Sequence, residues 1–305
     1  MSRKEREGIL WVLLAAAGFA LMPTMVKTTF LHSSFAPFDI AIWRFVIAAP
    51  MMWALVYRSR RSAPTARRSD VPRRPMLAIG VVISAAVLAA FFALERLPGS
   101  TYIVLFYSYP AMVVVLSALL GERIRPIAWL ALVMALAGIV LTVPDLTLGA
   151  RMDALGVALA LFNAAIVAVY YLLARRALAG VTDVSGASAW MMVGTLAVLL
   201  LLIPLRGLQL PQNALSLIML VGIAALGTVL PIFAINLAIQ RIGAAQASLI
   251  SAVEPILSMI VSALILAEVI LAIQWLGAAL IIGSVIVLQL RPRNRIDTSI
   301  VHEAG

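Results

Sequence analysis

Apolar residues in this chain run in ten long blocks with little internal charge, rather than recurring every third or fourth residue as on the buried stripe of a soluble helix. The blocks are Gly8–Phe30, Phe38–Tyr57, Met76–Glu95, Ser100–Leu120, Ile127–Val143, Ala154–Ala174, Val184–Leu205, Ala214–Ile239, Ala244–Leu266 and Leu271–Leu290. A helix rises about 1.5 Å per residue, so about 20 residues cross a hydrocarbon core roughly 30 Å thick. Each block approximates that length and predicts one membrane-spanning helix. The separators carry turn chemistry or charge, as in Leu97-Pro98-Gly99-Ser100, Gly121-Glu122-Arg123 and Arg206-Gly207. The block after the basic residues 1–7 is too long for a signal-peptide core and reads as a retained first span.

Composition agrees with a lipid environment. Of 305 residues, 64% are apolar and 12% charged, whereas about 25% of an ordinary soluble domain is charged. The net charge of +10 has no polar domain through which to bind nucleic acid, and its distribution explains it. With the N-terminus in the cytoplasm, 18 of the 23 basic residues fall on inner segments, among them Arg58, Arg60, Arg61, Arg73, Arg74, Arg175, Arg176 and Arg241. This is the positive-inside pattern of a bacterial-type inner membrane, and it places both termini in the cytoplasm. The Arg/Pro/Ser-rich segment 58–75 reads as an inner loop without a specific partner.

Metal and thiol chemistry find little material. Cysteine is absent, and the two histidines, His32 and His302, lack a ligand partner at helical spacing. No Gly-rich phosphate loop followed by Lys-Ser/Thr is present, which argues against ATP-driven work by this polypeptide. The expectation is therefore no cofactor, no metal and no catalytic residue. An intramembrane hydrolase would have to rely on serine with an unusual partner.

The chain repeats itself. Arg96-Leu97-Pro98-Gly99-Ser100 leads to Tyr109-Pro110 and then to Leu120-Gly121-Glu122; Arg241-Ile242-Gly243-Ala244-Ala245 leads to Glu254-Pro255 and then to Ala267-Glu268. In both copies the proline follows the arginine by 14 residues. After a one-residue slip, Ile127-Ala128-Trp129-Leu130 aligns with Ile273-Gln274-Trp275-Leu276. The organisation is a cytoplasmic N-terminus 1–7, a five-helix repeat 8–143, an outer linker 144–153, a second five-helix repeat 154–290 and a cytoplasmic tail 291–305. Five is odd, so the second copy enters the membrane from the other side. An inverted repeat gives alternating access a physical basis, because two conformers arise by exchanging the shapes of the halves around a central site.

Four motifs carry a resemblance to a known family: Phe19-Ala20-Leu21-Met22-Pro23 with Lys27, Trp43-Arg44-Phe45, the run from Pro110 to Leu120-Gly121-Glu122, and the run from Glu254-Pro255 to Ala267-Glu268. In their order and spacing the chain resembles the ten-helix drug/metabolite transporter superfamily, in its amino-acid and metabolite exporter (EamA-type) branch. The resemblance implies an all-α integral membrane protein, with two inverted five-helix repeats around a central cavity lined by spans 1, 3, 4, 6, 8 and 9. It also implies peripheral spans 5 and 10, which often form subunit contacts in a homodimer. Ala267-Glu268 stands where the first half has Gly121-Glu122, so the helix-end turn is expected to differ there.

An ionisable side chain at bilayer depth costs roughly 2.5–3.5 kcal/mol on insertion scales and needs a partner or a purpose. Glu254 falls mid-span, and its repeat partner is Tyr109. The following residues, Pro255 and Pro110, remove backbone donors and weaken both helices at that level. Substrate-binding candidates gathered by helical face are Met22, Phe91, Tyr102, Phe106, Tyr109, Asn163, Tyr170, Asn236, Gln246, Ser251 and Glu254. Glu254 either holds a substrate ammonium group or carries an exchanged proton. Lys27, Arg44, Glu95, Pro110 and Pro255 are gating candidates: Lys27, Asp39, Arg44, Glu95 and Arg96 collect toward the outer helix ends, where an Arg44–Glu95 pair is expected.

A site with one anion, several phenols and amides and apolar walls suits a zwitterion with an apolar body. The expected substrate is an amino acid or similar small metabolite, and the resemblance favours export. Uptake or exchange of a cationic drug, nucleoside or carboxylate is the alternative, followed by an intramembrane enzyme or a receptor without transport.

Overall fold

The computed structural model describes residues 2–62, 71–94, 96–97, 99–142, 153–266 and 269–289, and every regular element among them is helical. Spans 1 to 3 are α1 (Arg3–His32), α2 (Pro37–Ser62) and α3 (Arg73–Leu94). Span 4 is broken into α4 (Gly99–Phe106) and α5 (Tyr109–Leu119), and span 5 is α6 (Pro126–Thr142). In the second half, span 6 is α7 (Ala154–Ala177), and span 7 is α8 (Val184–Leu201) with the single turn α9 (Ile203–Arg206). Span 8 contains α10 (Ala214–Ala224), a π turn (Ala225–Val229) and α11 (Leu230–Ile242). Span 9 is broken into α12 (Ala244–Ser251) and α13 (Glu254–Leu266), and α14 (Ala272–Gln289) closes the series. Eight spans are long and apolar enough to cross a bilayer, and α6 and α14 are shorter apolar helices. The chain is a multi-pass membrane protein.

Local chemistry sets the helix starts. Ser2 and Glu5 form a reciprocal capping box at α1. Asp153 accepts from the Leu155 and Gly156 amides at α7, and Asp183 from the Gly186 amide at α8. Between α11 and α12 the chain turns on Gly243 at φ 83°, a left-handed conformation that a Cβ would oppose.

The helices pack as two copies that exchange partners. Span 1 lies against span 8 as span 6 lies against span 3; span 2 meets span 8 as span 7 meets span 3; span 1 meets span 9 as span 6 meets span 4. Spans 4 and 9, 2 and 7, and 5 and 10 pack against their own counterparts. Two of these crossings depend on glycine. A methyl on Gly80 of α3 would sit 2.0 Å from the Met191 carbonyl oxygen of α8, and one on Gly138 of α6 would sit 2.7 Å from the Gly277 carbonyl oxygen of α14. With no hydrophobic drive between helices in lipid, such backbone approach supplies the packing attraction. Leu10, Val81, Leu130, Val133, Leu264 and Trp275 point outward and are exposed, as lipid-facing side chains should be.

At the N-terminal face, Arg60 of α2 pairs with Asp183 at 2.8 Å. Burial pushes the Asp183 carboxyl up, but bonds from the Ser185 hydroxyl, the Arg60 guanidinium and the Gly186 amide outweigh it, leaving the carboxyl below its usual range.

Two stability measurements in detergent follow. Gly80→Ala should destabilise by about 1–3 kcal/mol through forced overpacking, while Val81→Ala, on the lipid face, leaves the unfolding midpoint unchanged. Asp183→Asn keeps the cap and removes the charge, so it should cost about 1 kcal/mol or less at neutral pH. Because the folded carboxyl titrates below its unfolded value, that difference is complete above the ordinary carboxylate range and closes as pH falls through the lowered value.

Candidate functional site

Spans 4 and 9 break at equivalent places. Pro110 is the second residue of α5 and Pro255 the second of α13, and the breaks fall at Tyr107–Ser108 and Ala252–Val253. A proline has no N–H, so the carbonyls four residues earlier, Phe106 and Ser251, lose their helical donors. Around the breaks the ladder tightens to three-residue steps: Ser108 N–H donates to Leu105 O at 3.2 Å and Val253 N–H to Ile250 O at 3.1 Å. The two breaks meet where α5 packs on α12.

Polar side chains gather there. The Tyr107 hydroxyl is hydrogen-bonded to the Glu254 carboxylate. Tyr109 bonds to Tyr171 and Ser251, and the Tyr171 and Ser251 hydroxyls lie 3.2 Å apart. The rings of Tyr109 and Tyr171 have centroids 5.6 Å apart, and Phe106 stands 5.3 Å from both Tyr107 and Tyr109. Tyr107, Tyr109, Tyr171 and Ser251 are buried, whereas Glu254 and Phe106 are half-buried. Two further links flank the group. Tyr170 donates to Asn236 Oδ1 at 2.8 Å, and Asn236 Nδ2 donates to Ser188 at 2.8 Å, joining α7, α11 and α8. Asn163 Nδ2 donates to the Tyr102 hydroxyl at 2.6 Å, and Tyr102 stacks on Phe106 at 5.9 Å.

The structure thus brings together Tyr102, Phe106, Tyr109, Asn163, Ser251 and Glu254, with Tyr170 and Asn236 adjoining through Tyr171, whose ring meets that of Tyr170 edge-on at 5.5 Å. Gln246 is half-buried on α12, and Phe91 is half-buried in the last turn of α3. Met22 lies elsewhere, with its Sδ 3.1 Å from Arg44 Nη1. Lys27 is exposed on α1. Glu95, and with it the expected Arg44–Glu95 pair, lies outside the described residues.

Tyr107 and Tyr171 are absent from the face-based candidates. A continuous span 4 would turn Tyr107 away from Tyr102, Phe106 and Tyr109, and the break at Tyr107–Ser108 brings it round. The signal in the sequence is Pro110, which weakens the helix and also frees the residues just before it to rotate.

The charged helix ends show the repeat again. Glu7 at the start of α1 pairs with Arg241 near the end of α11 at 2.8 Å, and Asp153 at the start of α7 pairs with Arg96 beyond α3 at 2.9 Å. Arg241 and Arg96 are the equivalent arginines of the two copies, and Glu7 and Asp153 stand at the starts of α1 and α7, the first helices of the two halves. A close glycine accompanies each: a methyl on Gly8 would lie 3.2 Å from Arg241 Cβ, and one on Gly156 would lie 2.9 Å from Arg96 Cβ. The Glu7–Arg241 end also holds Arg60–Asp183 and the Arg175–Glu122 pair. The opposite end holds Arg96–Asp153 and a network in which Trp43 Nε1 donates to Gln209 O at 2.7 Å and the Gln209 amide to Asp39 at 3.1 Å. Arg96 and Asp39, grouped from sequence with Lys27 and Arg44, therefore bind the second repeat and a loop amide instead. Every one of these contacts joins residues that strict alternation of ten spans puts at the same end.

Comparison with known proteins agrees with this architecture. The chain is 28% identical over 141 residues to the pseudopaline exporter CntI from two strains of Pseudomonas aeruginosa, a match covering 46% of this chain and 47% of the relative. The match spans about half the length of these curated relatives. A crystal structure of a protein 20% identical in sequence superposes with a TM-score of 0.80, covering 93% of this chain and 97% of the other, and shares the fold. The model of the EamA-like transporter family matches twice, over residues 6–143 and 154–290. Matched across both of its halves, the chain belongs to the EamA-like transporter family.

Proposed function

We propose that the protein exports a small zwitterionic metabolite, an amino acid or a relative of one, across a bacterial-type inner membrane by alternating access. The observation that carries this reading is the meeting of two equivalent helix breaks, which sets Glu254 against Tyr107 and beside Tyr109 and Tyr171 between the repeats. Transporter sites belong at such interrupted helices near the midplane. Glu254 takes the cationic end of the substrate, the phenols and Asn163 offer hydrogen bonds, and Phe106 supplies an apolar wall. The positive-inside distribution supports a cytoplasmic location for the Glu7–Arg241 end. Export is further supported by the relative named as a pseudopaline exporter.

The paired ion bridges supply the two gates. Substrate enters from the cytoplasm when Glu7–Arg241 opens and leaves when Arg96–Asp153 opens. Their side chains are 26–43% exposed, and ion pairs at that exposure contribute about 1 kcal/mol or less. Bridges this weak bias an equilibrium between conformers by a few-fold without locking either.

Counterflow of radiolabelled amino acids in liposomes tests the carrier, and saturable exchange is the expected result. Glu254→Gln should lower exchange of cationic and zwitterionic substrates by at least about tenfold, the loss of one charge-assisted contact, while equal rates in variant and parent would remove Glu254 from the site. The gates are read by labelling. The sequence has no cysteine, so Ser251→Cys gives a unique reporter at the centre. Adding Asp153→Asn should speed its reaction with an impermeant maleimide from outside, and adding Glu7→Gln should slow it; unchanged rates would contradict the gating role.

A further inference from the structure

Arg44 is a charged group with no part in the proposed carrier cycle. It stands seven residues into α2, about 10 Å from the helix start. Its Nε is buried without a hydrogen-bond partner among the described residues, its Nη1 donates to the Met22 thioether at 3.1 Å, and its guanidinium lies 5.1 Å from the Phe45 ring centroid. Among the described residues no carboxylate pairs with it. A guanidinium has five donors, and a thioether is a weak acceptor. A cation held at membrane depth on such terms is expensive to keep and calls for an anion that the described residues do not provide.

The backbone around it is interrupted in two helices. Pro23 follows Met22 inside α1 and strips the Phe19 carbonyl of its donor. Met22 packs on Gly227 in the π turn of span 8, where a methyl would lie 3.3 Å from Met22 Cβ, and α2 packs on the same turn. π turns inside helices recur at functional sites.

Depth relates this group to Glu254. The Thr24 hydroxyl of α1 and the Ser262 hydroxyl of α13 lie 3.2 Å apart, which sets those residues at one level. The two helices run the same way, since α1 begins beside Arg241, just before α12. Glu254 precedes Ser262 by eight residues, about 12 Å, and Met22 precedes Thr24 by two, about 3 Å. Arg44, held at Met22, is therefore about 9 Å from Glu254 along the membrane normal.

We infer that Arg44 is an anion subsite for the substrate's carboxylate, and that the transported metabolite is an elongated zwitterion carrying amine and carboxylate at least about 9 Å apart. A simple α-amino acid, whose charged groups share one carbon, cannot reach both residues at once. The inference rests on the carrier reading for the role of Glu254 at the cationic end, and it narrows the substrate class.

Binding to the purified full chain tests it separately from transport. ω-Aminoheptanoate, whose charges stand about 9 Å apart when extended, is titrated against leucine, heptylamine and heptanoate by thermal shift. Saturable stabilisation by ω-aminoheptanoate, tighter than by leucine or heptylamine, is the expected result. Arg44→Gln should weaken it at least about tenfold, the loss of one charge-assisted contact, with partial recovery in Arg44→Lys. Equal affinity in Arg44→Gln and parent would overturn the subsite. So would equal affinity of the parent for ω-aminoheptanoate and heptylamine, a comparison that stands even if Arg44→Gln does not fold. Failure of the parent to bind ω-aminoheptanoate would overturn it as well. Arg44-dependent binding with no flux in liposomes would instead sink the carrier reading and leave the anion subsite standing.

Discussion

A carboxylate between membrane helices must find donors inside the protein, and Glu254 finds Tyr107. The rest of the centre is arranged to make that contact available. Tyr107 reaches Glu254 because span 4 breaks just ahead of Pro110, and Glu254 opens α13 because span 9 breaks just ahead of Pro255. The same two prolines strip donors from the Phe106 and Ser251 carbonyls, so backbone acceptors lie beside the phenols. Tyr109, Tyr171 and Ser251 then close the network. Interrupted backbone of this kind is tolerated at membrane depth only where protein or a polar chamber surrounds it.

Symmetry organises the periphery around that contact. The main crossings of the first repeat have counterparts in the second, and the crossings α3–α8 and α6–α14 use glycine to bring backbones together. The equivalent arginines Arg96 and Arg241 meet acids at opposite ends. The repeats are not identical, however. Span 8 carries a π turn where span 3 is a continuous helix, and Glu254 stands where the first repeat has Tyr109. In the proposed carrier the chemistry resides in those departures, since a symmetric frame offers two conformers but no preference for one end of a substrate over the other.

Much of this was legible in the sequence. Ten apolar blocks, short polar separators and the Arg-to-Pro repeat carry the fold, because bilayer thickness and hydropathy constrain span length strongly. Glu254, Tyr109, Pro110 and Pro255 were readable as unusual residues at a predictable depth. What escaped depends on geometry that no local pattern encodes. Tyr107 is placed by the rotation at a helix break, the partner of Arg96 by how two distant helix ends converge, and the Met22 thioether meets Arg44 because α1 and α2 bring them together. The grouping of Arg96 and Asp39 with Lys27 and Arg44 came from nearness along the first repeat, whereas the real partners of both come from the second. In an interlocked repeat, closeness in sequence is a poor guide to which charges meet.

Alternation between the two ends is the central claim, and distance distributions measure it most directly. Spin labels flanking the Glu7–Arg241 bridge at one end, and in a second preparation the Arg96–Asp153 bridge at the other, would be read by pulsed electron resonance in lipid. The account expects two populations at each end, with substrate shifting the ends in opposite directions. A single unchanging distance at both ends, or both widening together, would contradict it.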